Sequence, residues 1–313
     1  MILRILITVF ICFSFVIIKA QNSTVSKDKS FVSSAAEPII DAIYEFNFSK
    51  ADSLLKKAQQ LNIKDPWVYL SRCNYYWWMI MTGEDNEQMV KTFQKVIDET
   101  ISICKVAKSK NLSNKEHYII LNAYAFRSRL ELYRGNYMSS AANLNTCLGL
   151  LKKSFGEELK YRPFSLTSSL YNYFVDYAKV NYPVARPIIA MLPEGKMEEG
   201  FRLLYGLSKC DDYILNNESN YFLCKIYQET EKQYTKAEYY AAIMVKRYPN
   251  NLAYIYNYFD VLLKQGKKQL AMKQLISLNL LSKVLPGLTP NQRQFYIANA
   301  QKTLKEYYEN EGK

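Results

Sequence analysis

The residues able to do chemistry are few and lie apart. One histidine occurs, His117, in Lys115-Glu116-His117-Tyr118. A histidine-based metal site needs several ligands, and a Ser-His-Asp or Cys-His relay would rest on this residue alone. No serine lies in Gly-x-Ser-x-Gly, and no glycine-rich phosphate loop is present. His117 therefore reads as a surface histidine near a helix start. Carboxylates come as adjacent pairs, Glu84/Asp85, Glu198/Glu199 and Asp211/Asp212. A glycosidase needs two carboxyls facing each other across a cleft, which neighbouring side chains do not supply. A helical enzyme with acids converging from distant positions is the least favoured alternative. Of the six cysteines, Cys73, Cys104, Cys147 and Cys224 sit in apolar helical patterns, and no Cys-x-x-Cys occurs. They read as buried small hydrophobes. Cys210, beside Asp211 and Asp212, is the candidate for reactivity. No catalytic residue, metal set or cofactor is expected.

The start of the chain is the strongest local signal. Arg4 is followed by an apolar run, Ile5 to Ile18, and then by Lys19-Ala20-Gln21-Asn22. The run is short for a bilayer span, which takes about 20 residues. A charged start, an apolar run and a small residue at the cut describe a secretory signal peptide over 1–20, cleaved after Ala20. Residues 21–36 are polar and aperiodic and read as a flexible tether. The remainder, 37–313, is one domain. The chain is thus expected to be exported, periplasmic or secreted, and not integral to a membrane once the leader is removed.

Gly (10) and Pro (9) are sparse over 313 residues, which favours long helices joined by short turns. A spacing of three, four and three recurs in Phe48/Ala51/Leu55/Ala58, Tyr137/Ser140/Leu144/Cys147, Tyr234/Ala237/Ala241/Met244 and Lys268/Ala271/Leu275/Leu278. That spacing places four side chains on one helix face. The small member lets a second helix approach closely, so Ala51, Ala58, Ser140, Gly200, Ala237, Ala241 and Ala271 are the expected packing positions. Ala237 and Ala271 are 34 residues apart. At these residues the chain resembles the tetratricopeptide-repeat family, over most of 38–281. The resemblance implies an all-α fold, a right-handed α-solenoid of about six helical hairpins. Departures mark a divergent member: Ser128, Cys224 and Phe259 stand where first helices carry Gly or Ala, and the turn Glu229–Tyr234 is longer than the pattern by one residue. The stretches 67–110 and 159–217 are irregular. In the second, Leu192-Pro193-Glu194-Gly195-Lys196 leads into Gly200-Phe201-Arg202-Leu203-Leu204, which is similar to the inclusion-body-clearance type of tetratricopeptide protein. Thr289-Pro290-Asn291-Gln292 reads as a capping box opening a two-faced terminal helix.

The formal charge is +12. Its lysines are scattered among acids and no nucleic-acid-binding motif is present, so nucleic acid is not expected as a partner. Aromatic residues are the best candidates for function. Tyr75-Tyr76-Trp77-Trp78 and Tyr254-x-Tyr256-x-Tyr258-Phe259 fall on first helices, which line the concave face in this architecture. Tyr76, Trp77, Tyr254 and Tyr258 are the expected anchors of a protein or peptide partner, since Tyr and Trp are favoured at interfaces. The alternative is a helical protein that binds an envelope glycan or another polyanion.

Overall fold

The structure, a computed structural model, describes residues 31–105, 112–183 and 186–311. The expected leader at 1–20, Cys12 within it and residues 21–30 lie outside these. Helices are the only regular elements among the described residues. They are α1 (Glu37–Tyr44), α2 (Phe48–Gln60), α3 (Pro66–Met81), α4 (Glu87–Lys105), α5 (Asn114–Tyr133), α6 (Tyr137–Ser154) and α7 (Pro163–Asn181). After the single turn α8 (Arg186–Ile189) come α9 (Met197–Leu207), α10 (Tyr213–Lys225), a π turn (Ile226–Thr230), α11 (Tyr234–Arg247), α12 (Leu252–Lys264), α13 (Lys268–Val284) and α14 (Pro290–Glu311). None is long and apolar enough to cross a membrane.

Local chemistry sets the helix starts. Pro66, Pro163 and Pro290 occupy first turns, where a missing N–H costs nothing. Asn47, Asp65, Ser113, Asp212 and Asn251 accept backbone N–H bonds as N-caps. The Thr289 box forms as expected. Its hydroxyl accepts from the Gln292 N–H at 3.2 Å, while the Gln292 carbonyl accepts from the Thr289 N–H at 3.1 Å.

Sequential helices pack in pairs: α1 with α2, α3 with α4, α5 with α6, α7 with α9, α10 with α11 and α12 with α13. Each pair also touches the next, and α14 lies on α12 and α13. All seven small packing positions are buried. Two of the three departures at first-helix positions have a physical reason. Ser128 donates to the Ser140 carbonyl at 2.9 Å, and Ser140 returns a bond to the Ser128 carbonyl at 2.7 Å. Cys224 reaches the Ala237 carbonyl at 3.4 Å in the same way. A small polar side chain substitutes for bare close approach by bonding the facing backbone.

Residues 31–36, expected within the tether, are packed, with Val32 and Ala36 buried. The Phe31 N–H donates to Asp212 Oδ2 at 2.8 Å, and its ring meets Trp67 on α3 and Tyr118 on α5. Tyr44 donates to Glu218 Oε1 on α10 at 2.6 Å, and its carbonyl accepts from the Asn251 side chain at 3.0 Å. Phe46 meets Trp78 and, on α14, Tyr296. The segment 31–46 therefore lies against α3, α5, α10, α12 and α14 together. Within it Ala36, Ile39, Ile40, Ala42, Ile43 and Tyr44 are all buried. The segment that opens α14 also meets α2 and the turn after α3. Gln292 donates to the Thr82 hydroxyl at 3.0 Å, Thr289 pairs with Glu84, and Gly287 sits where a Cβ would run into Ser49.

Candidate functional site

The structure separates the four expected anchors. Trp77 is 4% exposed and packs on Phe93 and Phe126, with the Arg129 guanidinium over its ring. Tyr254 is 2% exposed, between Tyr221 and Tyr248. Neither is available to a partner: Trp77 is enclosed by side chains of α4 and α5, and Tyr254 by Tyr221 of α10 and by Tyr248. Tyr76 and Tyr258 are half-buried, but on different pairs. Tyr76 lies edge-on to Tyr75 on α3, while Tyr258 faces Glu238 and Lys267. The expected groove platform is not assembled.

His117 is not a surface residue. It is buried, and Nε2 lies 2.7 Å from the Leu150 carbonyl, so this nitrogen carries the proton and donates. Burial holds its pKa below the ordinary histidine range. Cys210 is buried too, and burial pushes its thiol up to about 11. The thiols of Cys73, Cys104, Cys147 and Cys224 are pushed up to about 12 for the same reason. A thiol held protonated is a poor nucleophile. Among the described residues no group of three or more His, Cys, Asp or Glu is placed to hold a metal ion.

Side chains do converge on the irregular middle of the chain. Gly200 lets α9 press onto α7: a Cβ there would stand 2.7 Å from the Ser169 carbonyl oxygen and 2.8 Å from the Tyr173 nitrogen. This approach fixes Phe201 and Tyr205, one turn apart on α9. Opposite them the π turn presents Tyr227. The one extra residue expected in the turn Glu229–Tyr234 is absorbed here. The Glu231 N–H reaches back five residues to the Ile226 carbonyl at 3.0 Å, and Lys232 takes φ 52°. Such π turns often occur at functional sites.

The outcome is a run of near-parallel rings. Phe201 stacks on Tyr205 at 5.8 Å and 17° and on Tyr227 at 5.5 Å and 20°, and Tyr227 stacks on Tyr240 at 6.1 Å and 6°. The hydroxyls of Tyr205 and Tyr227 are hydrogen-bonded to each other. Tyr173 stands edge-on to Phe201 at 5.2 Å and bonds Thr230 and Glu231 at the end of the π turn. Phe201, Tyr205 and Tyr227 border a hollow of about 500 Å³, rimmed by Glu198, Arg202, Glu231, Gln233 and Lys236. The Lys236 ammonium lies 5.0 Å from the Tyr227 ring centre, and Arg202 is held by a two-pronged bond to Glu199. Burial pushes the Tyr240 hydroxyl up to about 12 and those of Tyr173 and Tyr227 further. They stay neutral and act as hydrogen-bonding groups. The arrangement leaves Phe201 and Tyr205 partly exposed over the buried Tyr227, with both signs of charge beside them for orientation, and it assembles no nucleophile with a base.

Phe201, Tyr205 and Tyr227 were not among the expected site residues. The available signal was the four-residue spacing of Phe201 and Tyr205 beside Gly200, together with the lengthened turn after Tyr227. A second buried polar feature is structural. Glu218 lies under Tyr44, and burial pushes its carboxyl well up, opposed by the Tyr44 hydroxyl and the Arg129 guanidinium. The chain matches no protein-family model and no curated protein sequence.

Proposed function

We propose that the chain is an exported binding protein of the tetratricopeptide type. In this reading it is a right-handed solenoid closed by a capping helix, it catalyses nothing, and it holds a protein or peptide partner at the hollow between α9 and the π turn. The observation that carries the proposal is the half-buried pair Phe201 and Tyr205, backed by the buried Tyr227, under a rim of both charge signs. Aromatic anchors surrounded by polar groups are the usual energetic centre of an interface.

A photo-crosslinking residue at the exposed Gln233, used in living cells, identifies the partner. Phe201→Ala and Tyr205→Ala should each weaken its binding by about 2 kcal/mol or more, while Tyr258→Ala leaves it unchanged. Wild-type affinity in both hollow variants would overturn the reading. Export is tested by N-terminal sequencing of the mature protein, which should begin at or near Gln21; intact Met1 in the soluble cytosol would sink it. The near-parallel rings also favour a second reading, stacking against the sugar rings of an envelope glycan. Binding of a purified glycan strand, lost in the same two variants, would place it first.

A further inference from the structure

Helix α13 is apolar on two faces, and only one is covered. Ala271, Leu275, Leu278 and Ser282 are buried against its neighbours. On the other side Met272, Ile276, Leu280 and Val284 follow at intervals of four and are 37%, 57%, 59% and 70% exposed. Four consecutive turns thus present one aliphatic ridge to solvent. Isolated exposed hydrophobes are ordinary, but a continuous ridge marks an interaction surface.

Charge identifies what the ridge meets. Between Asp260 and Glu306 the chain has no acidic residue and eight basic ones. The stretch between these two acids carries +8, and its last two lysines pair with Glu306 and Glu309. Lys264 and Lys267 pair with Asp260 and Glu238, and Lys268 lies over the rings of Tyr307 and Tyr308. Lys273 and Lys283 are exposed and flank the ridge. A second copy of the chain would set like charge against like charge. The ridge also lacks the aromatic and arginine anchors on which protein interfaces depend. An aliphatic face edged by lysine, on a helix lying flat, is the pattern of a surface-adsorbed amphipathic helix, and anionic headgroups attract its lysines.

We infer that α13 lays this ridge on the surface of an anionic lipid bilayer, with Met272, Ile276, Leu280 and Val284 at the headgroup boundary and Lys273 and Lys283 among the phosphates. The surface lies apart from the aromatic hollow, and the inference stands independently of the partner proposed there. Hydroxyl-radical footprinting of the full chain tests it, because the readout is local and the N-terminal apolar run does not confuse it. Vesicles of phosphatidylglycerol should lower oxidation of Met272 several-fold and leave the exposed Met138 on α6 unchanged. Vesicles of phosphatidylcholine should protect neither. Ile276→Glu with Leu280→Glu should abolish the protection at unchanged helical content, both sites being more than half exposed. Met272 equally reactive with and without anionic vesicles would overturn the inference. So would protection that persists in the double variant, or protection that appears without lipid as protein concentration rises, which would mean self-association.

Discussion

His117 illustrates how a single side chain changes role once its neighbours are known. With no other histidine present it has no partner for catalysis, and its position near a helix start suggested a solvated residue. The fold instead buries it against Phe164 and gives its Nε2–H to the Leu150 carbonyl, tying α5 to α6. Burial is the leading cause of its lowered pKa, and Lys153 adds to the shift. The sign follows from linkage. A histidine whose folded pKa is depressed contributes stability that is complete above its unfolded value, about 6.5. That contribution is lost as pH falls through the unfolded value toward the folded one, since the unfolded chain then binds the proton more readily. His117→Gln keeps a donor for Leu150 and removes the titration. Between pH 7 and pH 5 wild type should therefore lose more melting temperature than His117→Gln, with all other carboxyls and thiols common to both. Parallel pH profiles would show that the ring is not buried as described. The cysteine reading held at residue scale for a similar reason: an apolar helical context is local, and burial follows from it. Cys210 lacked that context in the sequence, and its buried thiol is turned to the Asp212 carbonyl at 3.3 Å.

At the scale of elements, the readable features were those whose cause lies within a few residues. Ala237 and Ala271 announce close helix approach by their spacing, and Thr289-Pro290-Asn291-Gln292 announces a helix start by its bonds. The extra residue before Tyr234 was visible as well, but its placement in a π turn after α10 was not. That placement depends on Tyr173, fifty-seven residues away, which bonds Thr230. Facing was the weak point. Helix α12 has apolar residues around most of its circumference, so periodicity does not say which tyrosine meets solvent. Gly200 provides the sharpest test of how elements position the candidate site. Gly200→Ala would set a methyl against backbone atoms of Ser169 and Tyr173, which have no rotamer to escape into. Overpacking of this kind costs about 1–3 kcal/mol, and it should also weaken partner binding by moving Phe201 and Tyr205. Gly206 lies on the same helix with open space at its Cβ position. Gly206→Ala should be neutral or stabilise by about 0.5–1 kcal/mol through helix propensity alone. Urea denaturation of the two variants distinguishes tight docking of α9 from a general intolerance of change, and equal stability of both would refute the docking.

For the whole molecule, the decisive contacts join residues far apart in the chain. Tyr44 reaches Glu218 across 174 positions and Asn251 across 207, and Gln292 reaches Thr82 across 210. Such pairs leave no periodic trace, which is why the packing of residues 31–46 against helices far along the chain was not legible. Their consequence concerns cooperativity. In an open array each unit touches only its neighbours, so local unfolding spreads from the nearest end. Here one short segment touches α3, α5, α10, α12 and α14, so damage to it should be felt at all of them. Tyr44→Ala removes a buried ring and the hydroxyl that partners Glu218, and truncation of a large buried aromatic costs about 3–5 kcal/mol. Hydrogen exchange should then quicken in α10 (Tyr213–Lys225) and α12 (Leu252–Lys264) as well as in α1, while amides of α6, outside these contacts, keep their wild-type rates. Faster exchange confined to α1 and α2 would mean that the segment is a passenger on a neighbour-only array. Faster exchange at all sites touched by the segment would establish it as the strut that joins the two halves of the chain.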